Sequence, residues 1–240
     1  MARQTDVAYQ KSESMILKGI KRAVRSSLNR AYSHIQVDPG DYLQRIRRTY
    51  GLPIQSFQDM FSVPEKTVEY VAEQTISASV KIAALEGAGL GLGGMLTVAP
   101  DIGILSAVLL RMIQKLSLIY GFEYSSDEEV AALWVAAAAA AGIDLGRELL
   151  EKEVIERFVP RVMERIAVRM SAEVAEKWSA RLIPILSGAI GGTLNYYFVR
   201  EWGRRSRIHF REKHRLVRTH MGVRTMLSAP SIIPPKLPLQ

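Results

Sequence analysis

The chain has 240 residues and a mass of 26.8 kDa, and 48% of it is apolar, enough for one large core or two small ones. It contains no cysteine, which excludes disulfides, thiolate metal sites, CxxC redox chemistry and a cysteine nucleophile. The formal charge of +8 sits at the two ends: residues 1–30 carry 7 basic and 2 acidic side chains, residues 200–218 carry 8 and 2, and the middle is acidic, a polarity that suits an anionic partner.

No apolar run of signal-peptide length precedes the first charges, so the chain is expected to remain cytoplasmic, peripheral to the inner face of the cell membrane. Residues 1–36 read as a basic amphipathic helix. Ile16, Ile20, Val24, Leu28 and Ile35 form one stripe, and Lys18, Lys21, Arg22 and Arg25 lie off it. Such a helix either covers the core or lies in the plane of a membrane with its lysines at the headgroups.

Asp38-Pro39 opens a second helix that Gly51 ends, since glycine tolerates the left-handed conformation just past a helix. Ser62 and Glu65 have capping-box spacing, and helical period follows from Val68 to Ala83. Beyond a glycine run, Pro100 suits an early helical position and Asp101 faces the positive end of the helix dipole. That helix runs to Tyr120, with Gly121 as its stop and Arg111, Gln114 and Lys115 as its polar strip. Ser126 and Glu129 form another capping box, opening an alanine-rich helix that Gly142 interrupts. Residues 144–182 read as charged amphipathic helix, bent or broken near Pro160, and residues 185 to about 220 as a helix that starts apolar and finishes rich in arginine. Residues 221–240 form a proline-rich tail. With no strand signal, the class is all-α: a helical bundle over 37–220, with glycine-rich apolar helices and basic amphipathic terminal helices.

Gly89 to Gly94 match GxGxxG, but a helix precedes them where a dinucleotide fingerprint needs a strand, and no Lys-Ser or Lys-Thr follows to make a phosphate loop. The four-residue spacing of Gly87 with Gly91, and of Gly188 with Gly192, is instead that of helices touching backbone to backbone. The alternative for 87–99 is a hinge or loop. The uncharged stretch 182–199 approaches the roughly 20 residues of a membrane span but holds Pro184, three glycines and Asn195, so its insertion stays open.

Arg200, Arg204, Arg207, Arg211, Arg215 and Arg218 recur at intervals of three and four, on one helix face, just after Tyr196, Tyr197 and Phe198. Apolar, then aromatic, then basic is the order of a chain leaving a bilayer on its cytoplasmic side, which makes these arginines candidate headgroup ligands; the bland alternative is a solvated helix face. Nucleic acid is the weaker partner, because no helix-turn-helix or RNA-binding signature accompanies them.

Candidate acid-base groups are Glu86, Asp101, Asp144, Glu148 and Glu151, and a buried carboxylate site around Asp101 or Asp144 would make the chain a hydrolase. His209, His214 and His220 stand among cations that discourage metal binding, and neither HExxH nor GxSxG occurs, so no metal or cofactor is expected.

The glycine run leading into APDIGILSAVLLRMIQKLSLIYGF, the segment IPILSGAIGGTLNYYF and the basic helix after it resemble the EcsC family over roughly residues 65–215. Asp101, Tyr120-Gly121, Gly188, Gly191, Gly192 and Asn195 match its pattern. The resemblance implies a bacterial accessory protein linked to an ABC-type transporter. Some members carry hydrolase or peptidase labels, but no catalytic motif transfers to these residues. The leading expectation is a non-enzymatic, membrane-associated protein binding an anionic surface and a hydrophobic membrane-protein partner, with homo-oligomerisation open. A hydrolase and a nucleic-acid binder are the alternatives.

Overall fold

The computed structural model describes residues 37–90, 98–145, 155–178 and 187–228, with positions 18, 19, 21, 22, 24–26, 28 and 29 of the N-terminal segment. For residues 87–90, 98–102, 155–157, 174–178, 187–191, 194 and 223–228 the description is of the backbone alone. Gly91, Glu148, Glu151, Pro184 and the tail from 229 therefore lie outside it. The described residues form helices and connecting turns, with no strand among them, so the class is all-α.

Helix α1, Pro39–Tyr50, begins where the Asp38 carboxylate accepts from the Asp41 N–H at 2.8 Å. It ends on Gly51, whose φ of 64° is left-handed. A 3-10 helix, Phe57–Ser62, follows, then α2, Glu65–Leu90. The capping box expected at Ser62 and Glu65 is not formed; the one present here joins Ser56 and Asp59. Pro64 is the reason. Its carbonyl receives the Thr67 and Val68 N–H groups, which makes Glu65 the first residue of α2, whereas a capping box needs its acid at the third. That position leaves the Glu65 carboxylate available to another helix.

Helix α3, Val98–Ile119, stops at Gly121, where φ is 87° and the Phe122 N–H reaches back to the Ser117 carbonyl at 2.9 Å. A side chain on Gly121 would place its Cβ 2.7 Å from the Phe61 ring. Helix α4, Asp127–Ala140, carries the expected Ser126–Glu129 capping box, and Gly142 follows it at φ 70°. The buried Ala136, Ala137, Ala138 and Ala140 let neighbouring helices come close. Helix α5, Ile155–Trp178, passes through Pro160 unbroken. Pro160 lies in the second turn on an exposed face, where water can serve the carbonyl left without its N–H partner.

The last helix, α6, runs from Ser187 to Ser228, past the expected end near 220. Its 42 residues extend about 63 Å at 1.5 Å per residue, which makes it the spine of the fold. It packs antiparallel to α2: Glu65 meets Arg215, Gly203 meets Ile76, and the Ala83 carbonyl accepts from Asn195 at 3.4 Å. On its buried face, Phe198, Val199, Trp202, Phe210 and His214 enter a core shared with α3, α4 and α5. Val24 and Leu28 of the N-terminal segment join that core.

Gly203 sets how near α6 comes to its neighbours. A Cβ there would lie 2.8 Å from an Ile76 methyl and 3.1 Å from the Met112 sulfur, distances that force those side chains aside. Gly222, by contrast, has nothing within 4 Å of such a Cβ. Gly203→Val is therefore expected to destabilise the fold by about 1–3 kcal/mol through overpacking. Gly222→Ala should leave stability unchanged or raise it by up to about 1 kcal/mol, because alanine is the better helix former. Urea unfolding of the two variants checks the pair.

Candidate functional site

The described residues bring the charged groups together along the seam between α2 and α6. On α2, Glu65, Glu69 and Glu73 recur every fourth residue and share a face. Arg207, Arg211 and Arg215 do the same on α6, and because the helices are antiparallel the two rows meet in order. Arg207 pairs with Glu73 and also stands 3.8 Å from Glu69. Arg211 is 3.8 Å from the same Glu69 oxygen, and the Arg215 Nε donates to Glu65 at 2.7 Å. Arg218 ends the row by donating to the Val63 carbonyl at 3.3 Å.

Glu69 is the centre of this ladder. Its side chain is 23% exposed, lies between two guanidinium groups, and accepts the Tyr120 hydroxyl at 2.6 Å. Burial, and then Glu69 itself, raise the Tyr120 hydroxyl far above the ordinary phenol range, so it stays a donor. At the outer rung, the hydrogen bond from Arg215 holds the Glu65 carboxyl below the usual carboxylate range. Each rung alone is worth little in partial contact with water, so its main effect is to fix register.

A second charged cluster ties α6 to α4 and α5. The Trp202 indole donates to Glu173 at 3.2 Å, Arg169 reaches Glu173 at 3.1 Å, and Arg205 donates to Glu201 at 3.0 Å and to the Ala140 carbonyl at 3.3 Å. That last bond satisfies an orphan carbonyl at the end of α4. Hydrogen bonds from Arg204, then Arg205, pull the Glu201 carboxyl down to about 2.

The candidate lipid-binding residues thus fall into two groups. Arg207, Arg211 and Arg215 are paired with acids of α2, and Arg218 with a backbone carbonyl. Lys21 and Arg25 meet Glu164 of α5 at 2.9 and 3.5 Å. Arg204 is held by Glu201 on its own helix, whereas Lys18, Arg22 and Arg200 are exposed and form no ion pair with a carboxylate among the described residues, Arg200 donating to the Tyr196 hydroxyl at 3.0 Å. Of the helix-packing glycines, Gly192 is buried and Gly87 and Gly188 have helical backbone. Asp144 and Glu86 are exposed, and Asp101 lies in the first turn of α3. Among the described residues, no group of three or more histidines and acids could hold a metal ion.

Three features escape the sequence reading: the Glu65, Glu69, Glu73 row, Gly203, and the burial of His214. The first leaves a partial signal, since identical four-residue spacing of acids on one helix and arginines on another permits pairing without specifying it. His214 does not stand among exposed cations. It is 1% exposed, stacked on Phe61 at 4.8 Å, and its Nδ1 lies 2.8 Å from the Tyr120 carbonyl. A carbonyl only accepts, so Nδ1 carries the proton, and the buried Nε2 has no hydrogen-bond partner among the described residues.

These features define a class: an all-α bundle whose longest helix is held along a second by an acid-arginine ladder. The chain belongs to the EcsC protein family, whose model matches residues 1–214. It is 30% identical over 146 residues to Protein EcsC of Bacillus subtilis (strain 168), a match that covers 57% of this chain and 59% of that relative. The match therefore spans less than two thirds of the relative's length. No solved structure matches.

Burial lowers the His214 pKa below the ordinary histidine value, and it lowers that of His209 in the same direction. The unfolded chain then binds these protons more readily than the folded one, so stability is full above about pH 6.5 and falls as pH drops through that value toward the folded pKa. Urea midpoints at pH 7, 6 and 5 should decrease in that order. The decrease should be shallower in His214→Phe, with His209 accounting for the part that remains.

Proposed function

We propose that this chain is a non-enzymatic, membrane-associated accessory protein that meets an anionic surface with the cations its ladder leaves over. The observation that carries the reading is the point where the acidic row ends. Continuing every fourth residue beyond Glu73, α2 offers Ser77 and then Lys81, and the register carries these past Gly203 and Val199, whose chain neighbours are Arg204 and Arg200 of α6. Positive charge accumulates there. At the same end, Leu85 is 75% exposed, Tyr197 is 61% exposed, and Ile82 is also exposed. Basic groups beside exposed aliphatic and aromatic side chains suit a headgroup layer, with Lys18 and Arg22 as further candidates.

The same end supports a hydrophobic partner. Carried along from Ala83–Asn195, the antiparallel register sets Gly191, beside the buried Gly192, level with Gly87, the close-approach arrangement of two helices. No helix among the described residues is long and apolar enough to cross a membrane. In this reading the chain attaches from the cytoplasmic side, and the link to an ABC-type transporter implied by the family resemblance is part of the proposal.

Flotation with vesicles tests it. Vesicles of phosphatidylcholine mixed with phosphatidylglycerol should carry the protein at low salt, phosphatidylcholine alone should not, and high salt should release it. Lys81→Gln/Arg200→Gln/Arg204→Gln should weaken binding on the order of 100-fold, at roughly 1 kcal/mol per cation. Arg211→Gln should weaken it far less. Equal failure to float with both lipids, or flotation indifferent to anionic lipid, contradicts the reading.

A further inference from the structure

We propose that Arg45 of α1, with Arg111 and Lys115 of α3, forms a binding site for a phosphate-type oxyanion. Arg111 and Lys115 are one turn apart on α3 and share a face. Lys115 extends its ammonium over the Tyr42 ring, 5.8 Å from the centroid, and Arg45 stands one turn beyond Tyr42 on α1. The two helices thereby bring three cations to one place.

This cluster differs from the ladder in its counter-charge. The ladder arginines, Arg204, Arg205, Lys21 and Arg25 all meet carboxylates. Among the described residues, no carboxylate forms an ion pair with Arg45, Arg111 or Lys115. Lys115 is held below the ordinary lysine range, first by burial and then by Arg45 and Arg111, so both arginines lie within electrostatic reach of its ammonium. Like charges brought together in this way repel, and an anion seated among them relieves the repulsion.

The floor of the site is fixed. The Tyr42 ring stacks on Phe57 at 6.2 Å, and its hydroxyl lies 3.3 Å from the Thr75 hydroxyl. The rim is open, because Arg45 and Arg111 are exposed while Lys115 is half-buried. Two guanidinium groups and one ammonium supply donors without an acceptor, a set that suits the several oxygens of a phosphate monoester. That phosphate could be free or the headgroup of a lipid such as phosphatidic acid. The site uses none of the residues of the Lys81–Arg204 end, so it stands or falls apart from the membrane reading.

The test uses the full chain and the reactivity of Lys115 itself. Lysines are acetylated with an N-hydroxysuccinimide ester at pH 7.5, and modification is followed residue by residue with mass spectrometry. Sodium phosphate should slow acetylation of Lys115 several-fold relative to sodium chloride of equal ionic strength and leave the exposed Lys66 unchanged. Arg111→Gln, which keeps the reporter lysine, should abolish most of that protection. Phosphatidic acid vesicles that protect better than the same concentration of soluble phosphate would assign the site to a headgroup; protection by soluble phosphate alone would assign it to a free phosphate. Phosphate that does no better than chloride at Lys115, or protects Lys66 equally, overturns the proposal, and the wild-type measurement decides this even if the variant does not fold.

Discussion

The constraint on which the rest of the fold depends is the register between α2 and α6, set by charge along one edge of their seam and by close contact along the other. Glu65, Glu69 and Glu73 face Arg215, Arg211 and Arg207 in antiparallel order. Gly203 lets the helices approach until Ile76 and Met112 touch the bare backbone. A slip of one turn would set Glu73 against Gly203 and bring a side chain to the position that only glycine fills. Apolar contact alone is tolerant of such slips, because one aliphatic side chain packs much like another. Ion pairs at this exposure add little net stability, and their value here lies in making one register better than its neighbours.

That division of labour also sorts the charges. A chain with a net charge of +8 suggests a broadly cationic surface, yet much of the arginine stripe is neutralised within the fold. Positive charge remains where the acidic row stops, around Lys81 and Arg200 beside the Glu201-paired Arg204, and where α1 meets α3, around Arg45, Arg111 and Lys115. These are different places built from different helices, which is why we propose different ligands for them: an extended anionic layer beside exposed Tyr197 and Leu85, and a compact oxyanion at Lys115.

Local signals in the sequence are strong where a single residue decides the outcome. Gly51, Gly121 and Gly142 end their segments in left-handed conformation, and Ser126 with Glu129 caps α4, because turn and cap chemistry depends on neighbours within a few positions. The signal at Ser62 and Glu65 misleads for an equally local reason, since Pro64 shifts the helix start and frees the acid for α6. The roles of Arg207, Arg211 and Arg215 were less legible. A stripe of arginines looks alike whether it faces water, lipid or glutamates about 140 residues away, and periodicity shows the face without showing what covers it. Gly203 was invisible for a similar reason: its requirement comes from Ile76 and Met112 on two other helices.

The ladder's hold on the register can be measured directly by a double-mutant cycle between Glu69 and Arg211, using Glu69→Gln, Arg211→Gln and the pair, with urea unfolding at low and high salt. Glu69 also accepts from Tyr120, so the single change at that position costs more than the pair interaction, and the cycle separates the two. A favourable coupling of about 0.5 kcal/mol or more at low salt, reduced at high salt, is the result a register-setting ladder predicts. Costs that add to within about 0.3 kcal/mol at both salts would show that the rows lie side by side without holding one another, and would contradict it.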